Sequence, residues 1–166
     1  MLDAASRQAF PASCAALLLL LLAAPLGLPG QAQLQVASVL ACVFFWSVFR
    51  PDSMSPPVVF LLGLLADLLG LEPLGATVLT LLAVHGIALR LRRFLVAQGF
   101  LLVWLVFVAV AAGAAALEWL LTTLLTFRVL PLAPALFQFG LTAGLYPILA
   151  IAFIAAHRGL AAPERA

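Results

Sequence analysis

Long apolar stretches, broken by short clusters of charged residues, prolines and glycines, run along the whole chain. Within each stretch nearly every position is apolar, without the alternation that a half-exposed strand shows. A helix that crosses the hydrocarbon core of a bilayer needs about 20 residues of this kind. The pattern therefore predicts an all-α integral membrane protein, a single domain over residues 1–166 with six transmembrane helices in one bundle, at about 10–28, 34–49, 57–70, 75–91, 95–126 and 131–156.

The breaks between these stretches carry signals for helix ends. Pro56-Pro57 opens the third span, and a short turn rich in Gly and Pro separates it from the fourth. The fifth span would be about 48 Å long as one helix, so we expect it to tilt, bend or project from the membrane. Gln98-Gly99 near its start is the expected place for a bend or for the helix to leave the interface. Pro147 is expected to interrupt the sixth span.

The composition is too apolar for a soluble domain. Hydrophobic residues make up 66% and charged residues 8% of the 166 residues, and the mean hydropathy is +1.26, whereas a soluble domain carries about 25% charged residues. The lipid bilayer is then the solvent for the outer surface. The net charge of +2 comes from scattered Arg residues, and without a basic face the chain is not expected to bind nucleic acid.

The Arg residues are distributed unevenly among the predicted loops. With six spans, one side of the membrane holds every Arg except Arg128. That side carries Arg7, Arg50, Arg90, Arg92, Arg93, Arg158 and Arg165. Because cytoplasmic loops carry the excess of Arg, both termini are predicted to be cytoplasmic. We interpret the Leu-rich first stretch as a permanent span, because Asp3 offsets Arg7 where a signal peptide would be positive.

An acidic residue, Asp67, lies inside the third predicted span. At helical spacing it shares a stripe with Phe60, Gly63 and Gly70, and glycines let another backbone approach closely. Asp67 is therefore expected to face a helix interface. Two interpretations stay open: a functional contact or ion site, as intramembrane acids often are, or a structural hydrogen bond to a neighbouring helix.

A second acid, Glu118, lies in the fifth span on a stripe of small and polar residues. The predicted topology puts Asp67, Glu72 and Glu118 at a similar depth, near the outer boundary of the membrane. Arg128 is the one basic residue on that side. Either Arg128 forms an ion pair with one of these acids, or the acids line an outer pocket that receives a partner helix.

The sixth span contains a GxxxG match at Gly140 and Gly144. Gln138, Thr142 and Tyr146 form a polar stripe on the same helix. Small residues at this spacing and hydrogen-bonding side chains both favour close packing of helices within a membrane. The match predicts packing either against a partner or within the bundle.

The sequence predicts no catalytic, cofactor-binding or metal site. Lipase-type nucleophile elbows, phosphate-binding Gly-rich loops and Ser-x-x-Lys motifs do not occur. His85 stands alone, with no second ligand at metal-binding spacing. Cys14 and Cys42 lie in apolar runs and are expected to be small packing residues. The chain is therefore not expected to be an enzyme.

Residues 57–91 read PVVFLLGLLADLLGLEPLGATVLTLLAVHGIALRL. This stretch resembles the rod shape-determining MreD family, in which a Pro-led span with Gly-Leu-x-x-Asp-Leu precedes a Pro-Leu-Gly turn and a span that ends in basic residues. The matching positions here are Gly63, Asp67, Pro73 and Gly75, together with the Arg cluster that begins at Arg90.

The resemblance implies a non-catalytic component of the bacterial cell-elongation (rod) complex, in the inner membrane, supporting cell shape and lateral peptidoglycan synthesis. Expected partners are MreC and, beyond it, RodA with its class B penicillin-binding protein, and MreB. The family-matching positions would serve the fold and partner docking. On this basis we expect Asp67→Ala to weaken assembly with the partner more than membrane insertion.

A second resemblance competes with the first. Substrate-binding components of energy-coupling-factor vitamin transporters also have six helices, a similar length and few charges. A vitamin site would need a polar and aromatic outer pocket. Asp67, Glu118, Trp119 and Tyr146 are the residues expected to line it.

Overall fold

The computed structural model describes residues 2–24, 30–70, 73–128 and 131–161, with side chains for 11–24, 30–70, 73–128 and 131–152. All regular structure in these ranges is helical, which confirms the all-α class. The elements are α1 (Leu2–Ala23), α2 (Gln31–Phe49), a 3-10 helix (Pro51–Ser53), α3 (Pro56–Leu69), α4 (Ala76–Leu95), α5 (Phe100–Thr126) and α6 (Leu132–Ala161).

Three of the described helices are long and apolar enough to cross a membrane. They are α2, α5 and the Leu132–Ala152 part of α6. Two further apolar helices, Pro11–Ala23 and Pro56–Leu69, are shorter. The last turns of α4 carry Arg90, Arg92 and Arg93, so its apolar part is shorter than the helix itself.

Helix α2 is the centre of the bundle. Its residues from Gln35 to Val48 are all buried, and it packs against α1, α4 and α6. A helix that is apolar on every side is expected in such a central position. Phe44 of α2 meets Phe107 of α5 and Tyr146 of α6, with ring centroids 5.1 Å and 5.9 Å away, so aromatic packing joins three helices in the core.

Successive helices reverse direction, and hydrogen bonds identify the two ends of the bundle. The Arg92 Nε donates to the carbonyl oxygen of Val48 at 3.0 Å, which joins the C-terminal ends of α4 and α2. We call this the basic end, defined by Arg50, Arg90, Arg92 and Arg93. At the opposite end the Gln31 side chain donates to the Leu22 carbonyl. We call that the polar end, where α3 and α5 finish.

The junction between α4 and α5 differs from the prediction. Helix α4 continues through its Arg residues to Leu95, beyond the predicted end at 91, and α5 begins at Phe100 instead of 95. Gly99 is extended, with φ −70° and ψ 159°, so the expected bend at Gln98-Gly99 is a complete break. Basic residues stabilise the last turn of a helix by interacting with its dipole, which is why the Arg cluster does not end α4.

The terminal helices also differ from their predicted bounds. Helix α1 begins at Leu2, well before the predicted start at 10, and ends at Ala23; the predicted residues 25–28 lie outside the described ranges. Helix α6 runs from Leu132 to Ala161 with Pro147 inside it. The expected interruption at Pro147 is therefore wrong, because a proline inside a membrane helix is tolerated where neighbours satisfy the freed backbone groups.

Candidate functional site

Asp67 of α3 forms the N-terminal cap of α4. Its Oδ2 accepts the backbone N–H of Gly75 at 2.7 Å, and its Oδ1 accepts that of Thr77 at 3.1 Å. Gly75 is the residue before the helix and adopts the left-handed conformation, with φ +98°, but it has no side chain to cap the helix. The first N–H groups of a helix need an acceptor and favour negative charge, so the carboxylate of the preceding helix meets both needs.

Gly63 allows the close approach of α3 and α4 on which this cap depends. A Cβ built at Gly63 would stand 2.7 Å from the Cα of Val78 in α4, well inside van der Waals contact. Between the helices, the backbone carbonyl oxygen of Pro73 accepts a hydrogen bond from the N–H of Ala76 at 3.2 Å. The expected positions Gly63, Asp67, Pro73 and Gly75 thus belong to one structural unit, which we call the α3–α4 joint.

Glu118 of α5 extends the hydrogen bonds of this joint to the remaining helices. Its Oε1 accepts the hydroxyl of Thr77 at 3.4 Å, and its Oε2 accepts the side-chain amide of Gln138 in α6 at 2.6 Å. Thr77 and Glu118 are 1% and 5% exposed. Hydrogen bonds at the polar end therefore connect α3 to α4, α4 to α5 and α5 to α6. They run through Asp67, Thr77, Glu118 and Gln138, and we call these four residues the polar network.

The polar network bears on the two interpretations of Asp67 and on the ion pair expected for Arg128. Both oxygens of Asp67 accept backbone N–H groups, which favours a structural hydrogen bond over an ion site. Arg128 is exposed and pairs with no described residue, so the predicted ion pair to Asp67 or Glu118 is wrong. The third acid, Glu72, lies outside the described residues. Buried acids that accept hydrogen bonds from several helices hold those helices in register.

The cavities at the polar end are small. A cavity of about 70 Å³ lies between α5 and α6, with Glu118 and Trp119 in its lining. A second cavity of about 10 Å³ is lined by Gln35, Gly70 and Gln138 among others, so the expected position Gly70 borders a space the size of one water molecule. Pockets for small-molecule ligands usually measure about 300–1,000 Å³.

The four residues expected to line a vitamin pocket do not come together. Tyr146 lies in the aromatic core, stacked on Phe107 at a centroid distance of 4.1 Å. Asp67 caps α4 and lines neither cavity. Glu118 and Trp119 alone share the lining of the 70 Å³ cavity. The polar end therefore offers no vitamin-sized, aromatic pocket among the described residues.

The two glycines of the GxxxG match lie on the outside of the bundle. Gly140 and Gly144 are exposed, and a Cβ at either position would meet no atom within 4 Å. Packing within the bundle is therefore wrong for this pair, whereas packing against a partner stays a prediction. The polar stripe faces inwards as expected, with Thr142 and Tyr146 3% and 1% exposed.

His85 and the two cysteines are packing residues in the described structure. The Nδ1 of His85 forms a 2.7 Å hydrogen bond with the hydroxyl of Ser47, which ties α4 to α2. Cys42 is buried and Cys14 half-buried, and both are free. No group of three His, Cys, Asp or Glu able to hold a metal ion occurs among the described residues.

Sequence reasoning did not single out Thr77 or the pairing of Gln138 with Glu118. Thr77 is the second residue of α4, whereas the cap signal of a hydroxyl residue applies to the position before a helix, so no local signal singles it out. The pairing of α5 with α6 through Glu118 depends on tertiary packing. No family model, curated protein or solved structure matches this chain.

Proposed function

We propose that the chain is a non-catalytic membrane component of the bacterial cell-elongation (rod) complex, supporting cell shape and lateral peptidoglycan synthesis through MreC. The observation that carries the proposal is the α3–α4 joint. Four of the residues that carry the resemblance to the MreD family, Gly63, Asp67, Pro73 and Gly75, contribute to this one unit. Residues that a fold needs together form a more specific signal than separate motif matches.

The proposed topology has six spans in the bacterial inner membrane, with both termini in the cytoplasm. Supporting it, Arg90, Arg92 and Arg93 lie at the same end of the bundle as Arg50, and Arg128 lies beyond the opposite end of α5. The excess of Arg marks the cytoplasmic side. Three helices have the length and composition of a membrane span, and the remaining three would complete the bundle.

The proposed docking face for MreC is the outer face of α6. Gly140 and Gly144 leave a shallow surface there, flanked by the exposed side chains of Leu136 and Ile148. Two helices can approach closely across small residues at this spacing, so van der Waals packing takes the place of a hydrophobic driving force in lipid. RodA, the class B penicillin-binding protein and MreB are further proposed partners.

The alternative function is that of a substrate-binding component of an energy-coupling-factor vitamin transporter. The polar end, where Glu118 and Trp119 line a cavity, is its candidate binding region. The cavity volume of about 70 Å³ is well below the usual volume of a ligand pocket. The first function is therefore preferred.

The experiment that separates the two functions is affinity purification of the tagged full chain from its own bacterium in mild detergent, with mass spectrometry of co-purifying proteins. Recovery of MreC, with or without RodA and its penicillin-binding protein, supports the elongation complex. Recovery of an ATPase pair with a transmembrane coupling subunit establishes the transporter instead.

A matched control uses a glycine away from the proposed docking face. Gly86 of α4 is also exposed, and a Cβ there meets no atom within 4 Å. Gly144→Leu is expected to reduce the recovery of MreC, whereas Gly86→Leu is expected to leave it unchanged. Equal recovery with both variants would remove the docking face from the proposal.

A further inference from the structure

A long apolar groove runs between α4 and α5 on the outside of the bundle. It has a volume of about 360 Å³ and is lined by aliphatic and small residues, including Ala83, Ile87, Leu91, Val106, Ala109 and Gly113. A Cβ at Gly113 would meet no atom within 4 Å, so the glycine leaves space open on the α5 side. The groove belongs to neither the polar network nor the α6 face.

The groove has the length of one leaflet of a bilayer. Its lining on α4 extends from Thr80 to Leu91, which corresponds to roughly 16 Å along a helix at about 1.5 Å per residue. Half of a hydrocarbon core of about 30 Å is about 15 Å. An extended acyl chain of one leaflet therefore has the length and the apolar character that this groove accommodates.

The basic end of the bundle lies at one end of the groove. Arg90 follows Ile87 by three residues and so extends the same side of α4 by about one turn, next to Leu91 in the groove lining. Arg93 lies about 120° around the helix from Ile87 at 3.6 residues per turn, so it does not continue the groove side of α4. Arg92 donates to the Val48 carbonyl, whereas Arg90 and Arg93 are exposed and pair with no described residue.

We infer that this groove binds an anionic phospholipid, with an acyl chain between α4 and α5 and the phosphate headgroup at Arg90. The charge of its guanidinium group complements the headgroup, and basic pockets between membrane helices on the cytoplasmic side are known to hold acidic lipids. The inference requires that the bundle lies in a bilayer, and it does not depend on which protein partner the chain has.

The test is native mass spectrometry of the purified full chain titrated with phosphatidylglycerol or phosphatidylcholine. The unchanged chain is expected to retain phosphatidylglycerol preferentially. Arg90→Gln should weaken that retention about fivefold, the change that one Arg near an anionic headgroup gives. Arg128→Gln, which removes the same charge at the other end of the bundle, should have no effect.

A second variant tests the groove itself. Gly113→Leu places a side chain in the open space and should reduce the retention of both lipids, whereas Gly144→Leu on α6 should not. Equal retention of the two lipids by the unchanged chain, equal losses with Arg90→Gln and Arg128→Gln, or unchanged retention by Gly113→Leu would each overturn the inference.

The same preparations separate this inference from the proposed function. If Gly113→Leu removes a co-purifying protein and leaves lipid retention unchanged, the groove holds a partner helix and the lipid inference is wrong. If the unchanged chain recovers MreC but retains no phosphatidylglycerol, the lipid inference fails while the proposed function stands. If the unchanged chain retains phosphatidylglycerol preferentially but recovers no MreC, the lipid inference stands while the proposed function fails.

Discussion

The backbone of Val78 in α4 packs against Gly63 in α3 so closely that a Cβ on Gly63 would lie 2.7 Å from the Val78 Cα. This contact brings the end of α3 to the start of α4. Asp67, one turn after Gly63, then lies within hydrogen-bond distance of the first N–H groups of α4. A glycine and an acid at this spacing therefore act together: one permits the approach and the other satisfies the helix end.

Gly63→Ala is expected to lower the free energy of unfolding by about 1–3 kcal/mol, the usual cost of overpacking. The reason is that the added methyl group meets backbone, which cannot rotate away as a side chain can. Thermal unfolding of the purified protein in detergent measures the change. Gly86→Ala is the matched control, since its methyl group meets no atom within 4 Å. Equal melting temperatures for the two variants would contradict the close contact.

Asp67→Ala is expected to destabilise the start of α4 by about 1–3 kcal/mol, because two backbone N–H groups lose their acceptor. The expectation from sequence, that Asp67→Ala weakens assembly with the partner more than membrane insertion, stays a prediction beside this one. Hydrogen exchange should show reduced protection at the Gly75 and Thr77 amides. Asp67→Asn keeps one accepting oxygen and should lose less. Unchanged exchange at both amides in Asp67→Ala would exclude the cap.

The hydrogen bond between Glu118 and Gln138 is expected to couple α5 to α6. A double-mutant cycle with Glu118→Ala and Gln138→Ala should give a coupling energy of about 0.6 kcal/mol, and up to about 1.7 kcal/mol, as such cycles do inside membrane proteins. The free energies of unfolding of the four proteins provide the measurement. Strictly additive effects would mean that the 2.6 Å contact contributes nothing to stability.

The proposed orientation predicts opposite labelling at the two ends of the bundle. In a variant without Cys14 and Cys42, a cysteine replacing Arg128 should react with a membrane-impermeant maleimide in spheroplasts. A cysteine replacing Arg93 should react only after permeabilisation, because the proposed topology puts the Arg-rich end in the cytoplasm. The reverse pattern, or access to both from outside, would reject the orientation.

The start of the third helix is a helix end that the sequence predicts well. A proline pair is suited to the first turn of a helix, so the start of α3 at Pro56 was predictable to within a residue. The Arg residues of α4 were less informative. They predict a helix end at 91, whereas α4 continues to Leu95, because a helix can extend past its apolar part and beyond the hydrocarbon region.

The candidate site was predictable only as a set of positions. The glycine stripe indicated that Asp67 faces a helix. The donors to its carboxylate are backbone N–H groups, however, and every residue except proline carries one, so the sequence does not identify them. The GxxxG spacing indicated close packing at Gly140 and Gly144, but the spacing has no information on which side of α6 faces the bundle. The donors to Asp67 and the side of α6 that faces the bundle both depend on tertiary packing, which a local pattern does not determine.

Photo-cross-linking in living cells tests the proposed docking to MreC. A photoreactive amino acid replaces Gly144 on α6, and a second strain carries it at Gly86 on α4, where a Cβ is equally unobstructed. We expect a covalent adduct with MreC from position 144 and none from position 86. An adduct with a transporter coupling subunit, or MreC captured equally from both positions, would contradict it.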